Sequence, residues 1–194
     1  MSSAWSELSA DCQGCERCEL ATTRNNVVVG RGNPEARALL IGEAPGQQED
    51  EQGEPFVGRA GQLLEKLLGE AGLDSRSDLY IANVIKCRPP QNRKPTRTEI
   101  DRCLPWLHQQ LKLVSPPLVV LAGATALEAV LGIKGGISKL RGQWIEQQGR
   151  AYLPIFHPSY LLRFGSRAPG SPQELTLADM QDVRRRLDRK DWPR

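Results

Sequence analysis

Short apolar runs alternating with stretches of helical spacing constrain this chain more than any other feature. Residues 38–42, 78–85, 118–121 and 152–156 read as strands, with 26–29 as a further short one. Residues 59–70 carry leucines at 63, 64, 67 and 68, the stripe of an amphipathic helix, and Gly72 suits its C-terminal stop. Thr98 opens a second helix reaching Leu113, and Pro105 inside it is expected to kink or delay it. Residues 124–131 form a third helix and the charged stretch 174–190 a terminal one; a short helix begins the otherwise irregular segment 1–24. Strands alternating with helices imply a parallel sheet covered on both faces. In such sheets ligands bind beyond the carboxyl ends of the strands. Glu43, Asn83 and His157 each end or follow a strand, so the topology brings all three to one sheet edge.

The length of 194 residues favours one domain spanning the chain, and 39% hydrophobic with 25% charged residues argues against extensive disorder. A net charge of +3, from 26 basic and 23 acidic residues, is too small to argue nucleic-acid binding by itself. Any such footprint has to come from local clustering. Residues 1–9 are polar and lack the apolar core of a secretory signal. The longest apolar stretch, 117–133, is interrupted by Gly123, Thr125 and Glu128, and reads as strand, turn and helix rather than a membrane span. A soluble, cytoplasmic protein with no membrane partner is expected.

Five cysteines lie at positions 12, 15, 18, 87 and 103. An odd count without a secretory signal argues against a disulfide framework, whereas C-x-x-C spacing points to metal or redox chemistry. Cys15 and Cys18 make one ligand pair, and Cys87 with Cys103 can make the other. Cys12 competes through its own C-x-x-C with Cys15. Spacing alone does not choose between these sets, nor between zinc and an iron–sulfur cluster.

The loop after residue 42, Glu43-Ala44-Pro45-Gly46, lacks the phosphate-loop pattern; its glycines and proline allow a sharp turn presenting backbone N–H groups beside Glu43. Asn83 lies in an apolar strand, where a buried amide needs partners. It is either a satisfied structural residue or a reader of a planar ligand. His157 begins His-Pro-Ser-Tyr-Leu-Leu-Arg, which reads equally as a turn with a leucine-packing helix or as a rigid loop exposing leucines beside an arginine.

Taken together, these segments resemble the thermostable iron–sulfur uracil-DNA glycosylases, family 4 of the uracil-DNA glycosylase superfamily. The matching pieces are Cys15-x-x-Cys18-x-Leu20, residues 42–46 with Glu49-Asp50, 55–58, 60–64, 83–90, Asn92-Arg93, Cys103, 139–142, 157–163 and 167–172, in family order. The resemblance implies a three-layer α/β/α sandwich around a central, mainly parallel four-stranded sheet. It also implies a structural [4Fe–4S] cluster on Cys15, Cys18, Cys87 and Cys103, with Cys12 outside the set. Uracil-containing DNA, single- or double-stranded, is the implied partner, and the enzyme is expected to act as a monomer.

The implied uracil site comprises Gly42, Glu43, Ala44, Glu49, Phe56, Asn83 and His157. Phe56 stacks on the base, the Asn83 amide meets N3–H and O4, and backbone N–H groups near Glu43 and Ala44 meet O2. His157 stabilises charge on O2, Glu43 stabilises the sugar cation or handles water, and Glu49 faces C5 to exclude a methyl group. Leu161 and Leu162 wedge into the vacated stack, with Arg163 and Arg167 near phosphates. A second basic cluster is expected from Lys86, Arg88, Arg93 and Lys94. The acidic Glu43 argues against the broader-specificity family 5. Two rival readings are a zinc-stapled binding module without catalysis and a redox iron–sulfur protein.

Overall fold

Burial at every position of three of the apolar runs determines the architecture. The computed structural model describes residues 3–189. In chain order it contains α1 (Ser3–Gln13), β1 (Arg31–Gly32), β2 (Ala38–Gly42), α2 (Gln47–Gln52), α3 (Arg59–Glu70) and β3 (Leu79–Asn83). These are followed by α4 (Arg97–Val114), β4 (Leu118–Ala122), α5 (Ala124–Leu131), α6 (Ile137–Leu140), β5 (Ile145–Gln147), β6 (Arg150–Ile155), α7 (Pro158–Leu161) and α8 (Pro172–Asp188). Strands β2, β3 and β4 are buried along their whole length, as parallel strands sandwiched between helices must be.

The sheet order is β1-β3-β2-β4-β6-β5. The expected four parallel strands are its centre, and two short antiparallel strands add an edge on each side. Alternation along the strands feeds two cores. Leu39, Ile41, Tyr80 and Leu121 pack with α1, α4 and α5, whereas Leu40, Ile81, Val120 and Leu153 pack with α3 and α8. Because β2 has β3 on one side and β4 on the other, the crevice opens beyond its carboxyl end. There Gly42 is in register with Asn83.

Several boundaries differ from the sequence reading, including the strand read over 78–85, which is a strand only over Leu79–Asn83. Residues 26–29 are extended but not a strand: the Val28 amide donates to the Lys86 carbonyl, and strand pairing begins only at Arg31. Helix α4 starts two residues earlier, because Thr96 and not Thr98 caps it. The Thr96 hydroxyl accepts from the Glu99 amide at 3.2 Å and the Glu99 carboxylate accepts from the Thr96 amide at 2.7 Å, a reciprocal box. Pro105 sits within the helix on its exposed side. The hairpin β5–β6 turns on Gln148 and Gly149, both with positive φ, a two-residue turn whose Gln-Gly signature is weaker than Asn-Gly. The last helix ends at Asp188; Lys190 lies outside the described residues. Among the described residues, no helix is long and apolar enough to cross a membrane.

Candidate active site and cysteine cavity

The carboxyl ends of β2, β3 and β6 border a cavity of about 430 Å³, and the three residues singled out from the sequence, Glu43, Asn83 and His157, all line it. Phe56, Ala44 and Glu49 line it too. Asn83 is only 2% exposed, and its Oδ1 is a buried acceptor with no hydrogen-bond partner. An orphan of that kind costs about 1–3 kcal/mol unless a ligand satisfies it. Gly42 has to be glycine: a Cβ there would lie 2.5 Å from both Asn83 Oδ1 and Phe56 Cζ. Phe56 adopts φ of 56°, and its carbonyl presses so close to α3 that a Cβ at Gly61 would sit 1.9 Å from it. The backbone is therefore locked so that the Phe56 ring lies 5.9 Å from the His157 ring, tilted by 35°.

His157 caps the short helix α7, with Pro158 at its first position. Its Nδ1 accepts from the Ser159 amide at 3.2 Å and lies 2.8 Å from the Ser159 hydroxyl. A backbone N–H can only donate, so Nδ1 carries the lone pair and Nε2 carries the proton. Burial holds the imidazole below its ordinary pKa, against the opposing pull of Glu43 and Glu49. A neutral ring with a fixed Nε2–H donor results.

Two carboxylates organise the loops. Glu43 accepts a short hydrogen bond from Thr125 Oγ1, in the first turn of α5. Thr125 was visible in the sequence only as a break in an apolar run; a threonine two residues after a strand-ending glycine is the signal that could have found it. Glu49 accepts from the amides of Val57 (2.9 Å), Gly58 (2.8 Å) and Gly46 (3.1 Å). Both its oxygens are thus engaged in joining the two loops, and the carboxylate acts as a staple.

The sequence that builds this arrangement is similar to known proteins. A sequence model of the uracil DNA glycosylase superfamily matches residues 29–181. The chain is 50% identical to the type-4 uracil-DNA glycosylase of Thermotoga maritima over 151 residues, covering 77% of this chain and 78% of that one. The chain belongs to the type-4 uracil-DNA glycosylases. The type-4 enzyme of Archaeoglobus fulgidus is 38% identical over 80% of this chain and 82% of its own. A type-5 uracil-DNA glycosylase of Thermus thermophilus is 41% identical but covers only 54% and 53%.

Several residues of the expected DNA-binding set of this type-4 enzyme sit differently from expectation. Leu161 is not available as a wedge: it is 0% exposed and packs with Leu67 and Phe156, whereas Leu162 is 40% exposed. Consecutive residues at a helix end point to different sides, so only one leucine of the pair can face solvent. Arg163 is exposed, but Arg167 pairs with Glu70 at 2.6 Å. The second basic cluster is also smaller than its sequence suggests. Lys86 is buried, and Arg93 makes a two-pronged pair with Glu99 at 2.6 and 2.9 Å. That pair and the Thr96 amide hold the Glu99 carboxyl down to about 2.

All five cysteines line a second, largely enclosed cavity between the N-terminal segment and α4. Three accept N–H bonds through sulfur: Cys103 from the Lys86 amide (3.2 Å), Cys15 from Trp106 Nε1 (3.3 Å) and Cys87 from Arg24 (3.6 Å). Burial pushes the Cys12 and Cys87 thiols up to about 12 and raises Cys103 as well, with Lys86 or Arg24 opposing. Among the described residues, no three acidic, histidine or cysteine side chains converge as a single-ion site. The five cysteines line this one pocket, and their soft donors suit zinc or an iron–sulfur cluster.

Proposed function

We propose that this chain acts as a single-domain enzyme that excises uracil from DNA, hydrolysing the glycosidic bond of an everted deoxyuridine and leaving an abasic site. The observation that carries this reading is the orphaned Asn83 Oδ1 in a cavity shared with the Phe56 ring and the neutral His157. Oδ1 accepts from uracil N3–H and the amide nitrogen donates to O4, while Phe56 covers a face of the ring. Cytosine, with a bare N3 and an exocyclic amine, leaves these groups mismatched and is rejected.

Eversion costs a few kcal/mol. Leu162 fills the gap, and Tyr160 and Phe164 flank it. These three are among only four large apolar side chains that stand exposed among the described residues, and the two aromatic rings lie 4.8 Å apart. As the C1′–N1 bond breaks, its electron pair moves onto uracil. The Nε2–H of His157 and backbone N–H groups beside Glu43 and Ala44 meet the charge on O2, an oxyanion-type interaction worth about 3–4 kcal/mol per donor in related chemistry. Water bonds to C1′ and yields its proton to Glu43, whose charge also opposes that of the sugar cation. Glu49 supports this machinery by fixing both loops.

Cys15, Cys18, Cys87 and Cys103 hold a [4Fe–4S] cluster. When bound it supplies a cross-link between the N-terminal segment, the loop after β3 and α4, and no electron is needed for hydrolysis. Three of these four already receive N–H···S bonds, which suits thiolate ligands.

The deciding experiment is incubation with a uracil-containing oligonucleotide followed by alkali cleavage of abasic sites. Strand breakage at the uracil is expected. Asn83→Ala and His157→Ala should abolish most of it with the fold intact; parental rates in both variants would show that the site is assigned wrongly.

A further inference from the structure

Lys86 stands out because a lysine should not be where it is. It is 1% exposed and the largest fully buried side chain among the described residues, at the apolar layer between the sheet and α4. Its Nζ donates to the Asn83 carbonyl at 2.7 Å and to Gln110 Oε1 at 2.6 Å, both neutral acceptors. Gln110 is in turn fixed by donating to the Val29 carbonyl at 2.7 Å. Among the described residues, no carboxylate pairs with this ammonium, and the ionisable side chains that act on it are Cys103, Cys12 and Cys87. A buried cation without a counter-charge is a large penalty, and natural interiors avoid it. The compensating negative charge therefore belongs in the cysteine cavity, which Lys86 itself lines. Four thiolates around a cluster, or around any divalent metal, leave a net negative charge there.

The second half of the geometry concerns the uracil site. Asn83 is the last residue of β3; beyond it the Val84 and Ile85 amides still donate to the Gly42 and Glu43 carbonyls, whereas the Asn83 carbonyl is taken by Lys86, and the Asn83 side chain is the base reader proposed above. The peptide that follows Asn83 is thus held from both sides, its N–H by the Gly42 carbonyl and its C=O by Lys86. We propose that Lys86 is a positioning residue of the uracil site and, at the same time, the internal counter-ion of the cluster, so that the charge of the cluster pins Asn83 in its reading position. The inference rests on the cluster assignment made above, and neither role follows from the sequence, where Lys86 reads as part of a solvent-facing basic loop.

The test uses the purified holoprotein and compares Lys86→Met with Lys86→Arg. Iron and sulfide content, the midpoint potential of the cluster, and kcat and KM on a uracil oligonucleotide are measured for each. Loss of the positive charge destabilises the reduced cluster, so the Met variant should show a more negative potential. Its kcat/KM should fall at least tenfold, while the Arg variant stays near the parental potential. A Met variant with full iron, parental potential and parental turnover overturns the proposal. Should the Met variant not accumulate, the Arg variant decides alone: a soluble, iron-loaded Arg variant supports a requirement for charge, and its loss as well assigns the position to packing and overturns the proposal. A parental protein without iron or sulfide would remove the cluster assignment itself, whereas a parental cluster with an unmoved potential removes only the role of Lys86.

Discussion

Thr125→Val replaces a hydroxyl by a methyl of nearly the same shape and leaves Glu43 without its donor. Thr125 is buried at the start of α5, where the helix dipole also favours a nearby carboxylate. Its Oγ1 holds Glu43 Oε2, which leaves the other oxygen for the cavity. A hydrogen bond to a charged group contributes about 1.5–3 kcal/mol. If Glu43 works only in that orientation, the loss appears in the chemical step as a decrease of about tenfold to hundredfold. Single-turnover excision at saturating enzyme measures that step without product release. Thr125→Ser, which keeps the hydroxyl, should recover most of the rate, and KM should change little in either variant. The same substitution in a Glu43→Ala background should have no further effect, because no carboxylate remains to be oriented. A parental rate in Thr125→Val, or an equal loss in both backgrounds, would refute the argument.

The two leucines of α7 should separate stability from function. Leu161→Ala should lower stability by about 2–5 kcal/mol in a denaturant titration, as a fully buried leucine does, whereas Leu162→Ala should leave the midpoint unchanged and impair excision more on duplex than on single-stranded substrate. Gly42→Ala forces its Cβ into the contacts at 2.5 Å with Asn83 and Phe56, so free uracil should lose affinity by tenfold or more in a direct binding assay while the protein remains folded. His157 has to be neutral to keep Nδ1 as an acceptor. The rate should therefore be flat at neutral pH and fall only on acidification below the ordinary value of 6.5. A lowered folded pKa means the unfolded chain takes up the proton first. The stability contributed by this group is thus full above 6.5 and is lost as pH falls, and a rate that instead rises on acidification would contradict the assignment.

The sheet was legible because its central strands are buried on both faces. Such strands read as unbroken apolar runs, and their ends then place Glu43, Asn83 and His157 at one edge whatever the loop details. What the residue string concealed was decided by direction and pairing. Adjacent leucines look alike in sequence, yet only Leu162 points outward. Arg93 and Arg167 carry charge that Glu99 and Glu70 take up, from six residues away and from 97 residues away respectively. Thr96 and Thr98 both precede Glu99, and only the i to i+3 spacing of the capping box distinguishes them. Glu49, which the resemblance places beside uracil C5, accepts from three amides that its position in the sequence does not reveal.

These pairings bear on how the enzyme selects its substrate. Once Lys86 is buried and Arg93 and Arg167 are matched by carboxylates, Arg59 is left as a cation lining the cavity, with Arg163 exposed after α7. Backbone phosphate contacts carry no sequence information, and their number sets the salt dependence of binding. An enzyme with a weak grip on the backbone gains little from tight residence on undamaged DNA, and its discrimination has to arise in the pocket. That is where the structure is most constrained: a glycine with no room for a methyl group, a phenylalanine in left-handed backbone, a histidine with its tautomer fixed and an amide oxygen without a partner. Of these groups only the amide oxygen carries an unrelieved cost in the empty state, which a uracil N3–H relieves; the other three fix the shape and donor pattern that the ring has to match. On this reading selection operates after the base has left the helix.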